Sequence, residues 1–163
     1  MNTGQEMRVA VISDTHGLLR SEALAFAAGS DYIIHGGDIG SAEILERLSA
    51  IAPLIAVKGN NDRQPWAAHL PASEMIRVGG IFVYVIHDLK RLDIEPHAAG
   101  VNVIISGHSH KPRLDRRDDI LYFNPGSCGP KRFTLPISLG EMRVHGSRVR
   151  ARIVELIPPR AAQ

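Results

Sequence analysis

"MRVAVISDTH", residues 7–16, decides how the rest of the chain is read. A valine- and isoleucine-rich run with a single early charge has the composition of a strand buried on both faces, and it ends in Asp14 and His16, two side chains able to ligate a metal. Working outward, "SEALAFAAG" (21–29) reads as a helix with Ser21 as N-cap and Gly29 as stop. A second strand, "DYIIHGGD" (31–38), ends in Asp38. "SAEILERLSAI" (41–51) sets Ile44, Leu45, Leu48 and Ile51 on one helical face, and a third strand, "PLIAVKGN" (53–60), ends in Asn60. Strands alternating with helices predict parallel βαβ units.

The rhythm then changes. "SEMIRVGGIFVYVIH" (73–87) is a hairpin turning at Gly79 and Gly80, followed by a brief helix at 95–99 and a buried strand "VNVIISG" (101–107). "RLDRRDDILYFN" (113–124) turns at Asp118 and Asp119, and "ISLGEMRVHGSRVRARIVEL" (137–156) turns at His145–Ser147, so the second half is expected to be mostly antiparallel. The fold class is α/β: two sheets face to face, helices on the outer faces. With 163 residues and no linker, one domain over 1–163 is expected, with 1–6 as a loose polar tail.

Composition excludes several classes. Nineteen basic against seventeen acidic side chains leave a net charge of +2, too balanced for a nucleic-acid footprint; the basic C-terminal stretches read as solvated surface, and four Phe, three Tyr and one Trp offer no stacking platform. The single cysteine, Cys128, can form no internal disulfide. No signal-peptide pattern and no apolar run near the ~20 residues of a membrane span occur, so a cytoplasmic protein with no membrane partner is expected. The apolar stretch 67–76 is a candidate homo-oligomer contact.

The strand ends carry the chemistry: Asp14 and His16, Asp38, Asn60 and Asp62, His87, then His108 and His110. Singly, each has an ordinary explanation as a turn, a cap or a core histidine. Ligands in α/β sheets bind beyond the carboxyl ends of strands, so five such endings converge on one crevice. Carboxylates, imidazoles and one amide suit manganese, iron, zinc or nickel; calcium would want oxygens alone, and a closed structural zinc site would want thiolates. Even without Asp62, the seven others exceed one ion. Two ions about 3.5–4 Å apart with a bridging carboxylate would hold both oxygens of an in-line displacement at phosphorus. Two dications less Asp14, Asp38 and a hydroxide leave about +1, a charge that attracts a phosphodiester anion.

"DTH", "GGD", "GNND", His87, "GHSH" and "NPGS" together resemble the motif series of calcineurin-like metallophosphoesterases, and in spacing and length the small YfcE-type phosphodiesterases. The resemblance implies the metallo-dependent phosphatase fold, a four-layer α/β/β/α sandwich. It implies one metal on Asp14, His16, Asp38 and His110, and another on Asp38, Asn60, His87 and His108. Manganese is the first choice, with nickel, zinc, iron or magnesium as alternatives. It makes Asp14, Asp38, Asn60, His87 and His108 the catalytic set, acting through a bridging hydroxide on a small phosphodiester.

Two departures stand out. Where many relatives carry histidine in G-N-H-D/E, this chain has Asn61, which cannot serve as a general acid, so good leaving groups are expected to be favoured. Asp88 follows His87 and either orients an imidazole or caps a loop. Asn61, Arg63 and Arg132 are candidate substrate contacts, whereas Cys128 is not expected to be a nucleophile. The competing readings are a catalytically weak protein-binding scaffold of the same fold, and a nucleotidase or phosphomonoesterase.

Overall fold

The computed structural model describes residues 4–156. Its first sheet contains β1 (Met7–Ile12), β2 (Tyr32–His35), β3 (Leu54–Ala56), β9 (Ser138–His145) and β10 (Arg148–Glu155), in the order β10-β9-β1-β2-β3. The second contains β4 (Ser73–Val78), β5 (Ile81–Ile86), β6 (Val103–Ile105), β7 (Arg113–Arg117) and β8 (Ile120–Asn124), in the order β4-β5-β6-β8-β7. Strands β1, β2 and β3 pair in parallel as expected, joined by α1 (Ser21–Ala27) and α2 (Ala42–Ser49).

Burial on both faces explains the unbroken apolar runs. In β1, Val9 and Val11 enter the layer between the sheets, while Ala10 and Ile12 pack under the helices with Ala23, Ala27, Ile44 and Leu48. β9 repeats the division: Met142 and Val144 point between the sheets, Leu139 toward the helices.

The fourth layer is thinner than expected. Tyr84, Ile86, Ile104 and Ile120 on the outer face of the second sheet are covered by Leu89, Leu92 and Ile94. These come from an irregular segment whose only helical turn, at Leu89–Arg91, is 3₁₀. The helix expected at 95–99 is a single turn closed by Ala99 N–H donating to the Glu95 carbonyl. The second half is also less antiparallel than its hairpins suggest, since β6 pairs in parallel with both β5 and β8. Ser21 is the first residue of α1, with Arg20 in the N-cap position, so the serine cap is not formed. Residues 1–3 of the expected tail lie outside the described residues, and Glu6 is held by Arg143 at 3.2 Å and Arg150 at 2.7 Å. Among the described residues no helix is long and apolar enough to cross a membrane.

Candidate metal centre

Every expected ligand lies in a loop just past a strand: Asp14 and His16 after β1, Asp38 after β2, Asn60 after β3, His87 after β5, His108 and His110 after β6. The two sheets thus bring together residues up to 96 positions apart. Asp14 is fully buried, and its Oδ1 has no hydrogen-bond partner among the described residues. Around that oxygen stand the Nε2 atoms of His110 at 3.3 Å, His16 at 3.7 Å and His87 at 4.0 Å. Asp38 Oδ2 lies 3.3 Å from His87 Nε2 and 3.8 Å from His16 Nε2. Asn60 Oδ1 sits 3.1 Å from His87 Nε2 and 3.2 Å from His108 Nδ1.

These distances fall into two groups joined by the carboxylates. Asp14, His16 and His110 form one, with the Nε2 atoms of His16 and His110 3.1 Å apart; Asp14, Asp38 and His87 form the other. An unpaired buried carboxylate oxygen faced by imidazole nitrogens fits a divalent cation, because each atom presents a lone pair to the same space.

The electrostatics agree. Burial on its own would raise the Asp14 carboxyl, but the imidazoles of His110, His16 and His87 outweigh it and hold it below the usual range. For Asp38 burial is likewise outweighed, by His87 and the Asn61 backbone N–H. Burial would lower His87, yet Asp38 and Asp14 raise it.

The supporting contacts are built by neighbouring residues. Ser13 Oγ donates to Asp14 Oδ2 at 2.6 Å, and the His108 N–H donates to the same oxygen at 3.1 Å. Asp62 is buried and accepts from the backbone N–H groups of Ile39 (3.0 Å), Gly40 (3.3 Å) and Gly59 (2.9 Å), which ties the β2 and β3 loops together. Gly59 is required there: a Cβ would strike the backbone and carboxylate of Asp38. Asp14, His16, Asp38, His108 and His110 all adopt left-handed φ between 45° and 72°, a conformation that costs a non-glycine residue about 1–3 kcal/mol. Asn124, inside "NPGS", donates from Nδ2 to the Gly107 carbonyl at 2.9 Å and to Ser109 Oγ at 3.1 Å, which fixes the His108 loop.

The other expected contacts divide. Asn61 holds Asp38, its Nδ2 donating to Oδ2 at 3.0 Å and its backbone N–H to Oδ1 at 2.9 Å, so it positions a carboxylate. Arg63 lines a cleft of about 620 Å³ with Lys58, Arg91, Asn60, His87 and His108. Arg132 is exposed and lines neither this cleft nor the cavity beside Tyr122. Asp88 caps the 3₁₀ turn by accepting from Lys90 N–H at 3.1 Å, which selects the loop-cap alternative. Cys128 is buried and its thiol is pushed up to about 12 by burial and the Asp14 charge, which removes it as a nucleophile.

Residues 7–147 match the family model described as "calcineurin-like phosphoesterase superfamily domain". The chain belongs to that superfamily. A probable metallophosphoesterase of Methanothermobacter thermautotrophicus is 33% identical, the alignment covering 94% of this chain and 95% of the relative. Phosphodiesterase YfcE of Escherichia coli strain K12 is 26% identical over 82% of this chain and 86% of its own. Vacuolar protein sorting 29 from Cryptosporidium parvum has the same fold at a TM-score of 0.80, with 20% identity over 95% of this chain and 94% of that one. The phosphoesterase superfamily member described here therefore combines the metal-dependent family's fold with Asp/His groups able to hold an ion.

Proposed function

We propose that this phosphoesterase hydrolyses small phosphodiesters using two divalent ions, manganese first, held by Asp14, His16, Asp38, Asn60, His87, His108 and His110. The observation that carries this reading is Asp14 Oδ1: buried, unpaired among the described residues, and faced by the Nε2 atoms of His16 from its own loop and of His87 and His110 from two others. When bound, the ions would supply charge to polarise the phosphoryl oxygens and lower the pKa of a water.

The protein's own groups do the rest. Asp14 turns Oδ1 inward while Ser13 and the His108 N–H restrain its Oδ2, and Asn61 holds both oxygens of Asp38. His87 and Asn60 offer a nitrogen and an amide oxygen 3.1 Å apart, and His108 stands on the far side of that oxygen. Lys58, Arg63 and Arg91 give the cleft positive charge for an anionic ester. No imidazole occupies position 61, so the leaving oxygen departs without a histidine acid there and aryl esters are favoured over alkyl esters. The charged side chains lining the cleft accord with a small anionic substrate.

The test is turnover of bis-p-nitrophenyl phosphate by metal-stripped protein after adding back manganese, nickel, zinc or magnesium, alongside His108→Ala. Metal-dependent turnover that collapses in the variant supports hydrolysis. Tight metal binding without turnover supports the scaffold alternative raised by the fold shared with vacuolar protein sorting 29.

A further inference from the structure

His108 and Asp88 form a ridge between two cavities. On one side lies the 620 Å³ cleft of Asn60 and Arg63; on the other, a separate cavity of about 440 Å³ that none of the remaining six expected ligands lines. Leu89 and Tyr122 give this second cavity an apolar wall, and Lys90, Lys111, Arg113 and Arg117 supply positive charge.

Those cations are only partly neutralised. Arg113 Nη2 and Arg117 Nε share one carboxylate oxygen of Asp115, at 3.0 and 3.1 Å, while Lys90 and Lys111 form no ion pair among the described residues. Arg117 also lies over the Tyr122 ring, its Cζ 4.3 Å from the centroid, which holds the guanidinium at the cavity. At the ridge, Ser109 Oγ accepts from Asn124 Nδ2 and Lys111 N–H, so its own proton remains available to an acceptor.

A phosphodiester bound at His108 has two ester arms that leave phosphorus in different directions, and a monoester has one. We propose that the second cavity receives one arm of the substrate and that this arm ends in a phosphate group. The inference rests on the phosphodiesterase reading and narrows its substrate class to small diesters bearing a terminal phosphate. The apolar wall packs the body of the arm, and the lysine and arginine groups bind its end by charge-assisted hydrogen bonds.

Binding of dithymidine with a hydrolysis-resistant phosphorothioate linkage, bearing no terminal phosphate, a 5′-phosphate or a 3′-phosphate, tests this by calorimetry on the manganese-loaded protein. The Lys111→Ala/Arg113→Ala double variant is measured in parallel, and bis-p-nitrophenyl phosphate turnover is followed on the same samples. One terminal phosphate is expected to tighten binding about tenfold at low salt, with the gain shrinking below about twofold in the variant and at high salt. No gain from a phosphate at either end, or a gain untouched by the double substitution, overturns the inference even if turnover is normal. A phosphate gain that the double variant abolishes, without turnover of any diester, upholds the cavity and defeats the hydrolase reading alone.

Discussion

The Nδ1 of His87 lies 2.7 Å from the carbonyl oxygen of Gly36, so the single N–H of a neutral imidazole is spent on the loop after β2. Its Nε2 lone pair is then left between Asp38 Oδ2 at 3.3 Å and Asn60 Oδ1 at 3.1 Å, an arrangement of three acceptors that a cation relieves. A proton is one such cation, which is why this histidine is raised; a metal ion is the other.

Replacing His87 by alanine is expected to reduce bound manganese from two ions per chain toward one. Turnover per enzyme should fall at least about 100-fold, since even orienting partners of metal ligands are worth about 10- to 100-fold. Elemental analysis after dialysis checks the first statement and steady-state kinetics the second. Two tightly held ions in the variant would contradict the assignment.

Asn61→Ala removes the Nδ2 contact with Asp38 Oδ2 while leaving the backbone N–H bond to Oδ1 in place. Metal affinity should drop about 10-fold, the lower end of the range for such partners. Asn61→His should instead raise turnover of alkyl diesters relative to aryl ones by supplying an acid. An unchanged alkyl-to-aryl ratio would show that position 61 has no role at the leaving group.

Asp62→Ala strands the buried N–H groups of Ile39 and Gly59, each worth about 1–3 kcal/mol when left unpaired. A loss of about 2–5 kcal/mol in urea unfolding is expected, together with weaker metal binding because the loops carrying Asp38 and Asn60 come apart. Asp62→Asn, which keeps one acceptor, should recover part of both.

His35 supplies the acid sensitivity that does not depend on metal ligation. The Gly37 N–H donates to Nδ1 at 3.0 Å, and Thr15 Oγ1, whose own proton goes to the Ile39 carbonyl, accepts from Nε2 at 3.0 Å. Burial pushes this imidazole from 6.5 down to about 4, against the pull of the Asp14 charge. The unfolded chain therefore binds the extra proton between those values, and folding stability falls as pH descends from 6.5 to about 4. In His35→Gln, which does not titrate, unfolding free energy should fall less over the same descent. Equal slopes for the two proteins would rule His35 out as the source.

Strand ends were legible because double-sided burial produces runs such as Val9–Ile12 that stop where the loop chemistry starts. The parallel pairing of β6 was not, because the connection from β5 to β6 offers only a brief helical stretch at 95–99, too short to read as a crossover helix. The contact of Asn61 with Asp38 is hidden for a related reason: Asp38 lies 23 residues away in another loop, and only the pairing of β2 beside β3 makes them neighbours. Asp62 looked like one more ligand candidate, since an aspartate in "GNND" gives no sign that it faces backbone amides.

The left-handed backbone at Asp14, His16, Asp38, His108 and His110 bears on how the centre should be dissected. Aspartate and histidine tolerate that conformation better than alanine does. An alanine scan would therefore record two losses at once, a missing donor atom and a misfit main chain, and would credit both to coordination. Glycine, which enters the same torsions freely, isolates the donor atom. At these five positions the glycine variant is the better blank, and the gap between it and alanine measures how far the loops themselves hold the centre open for its ions.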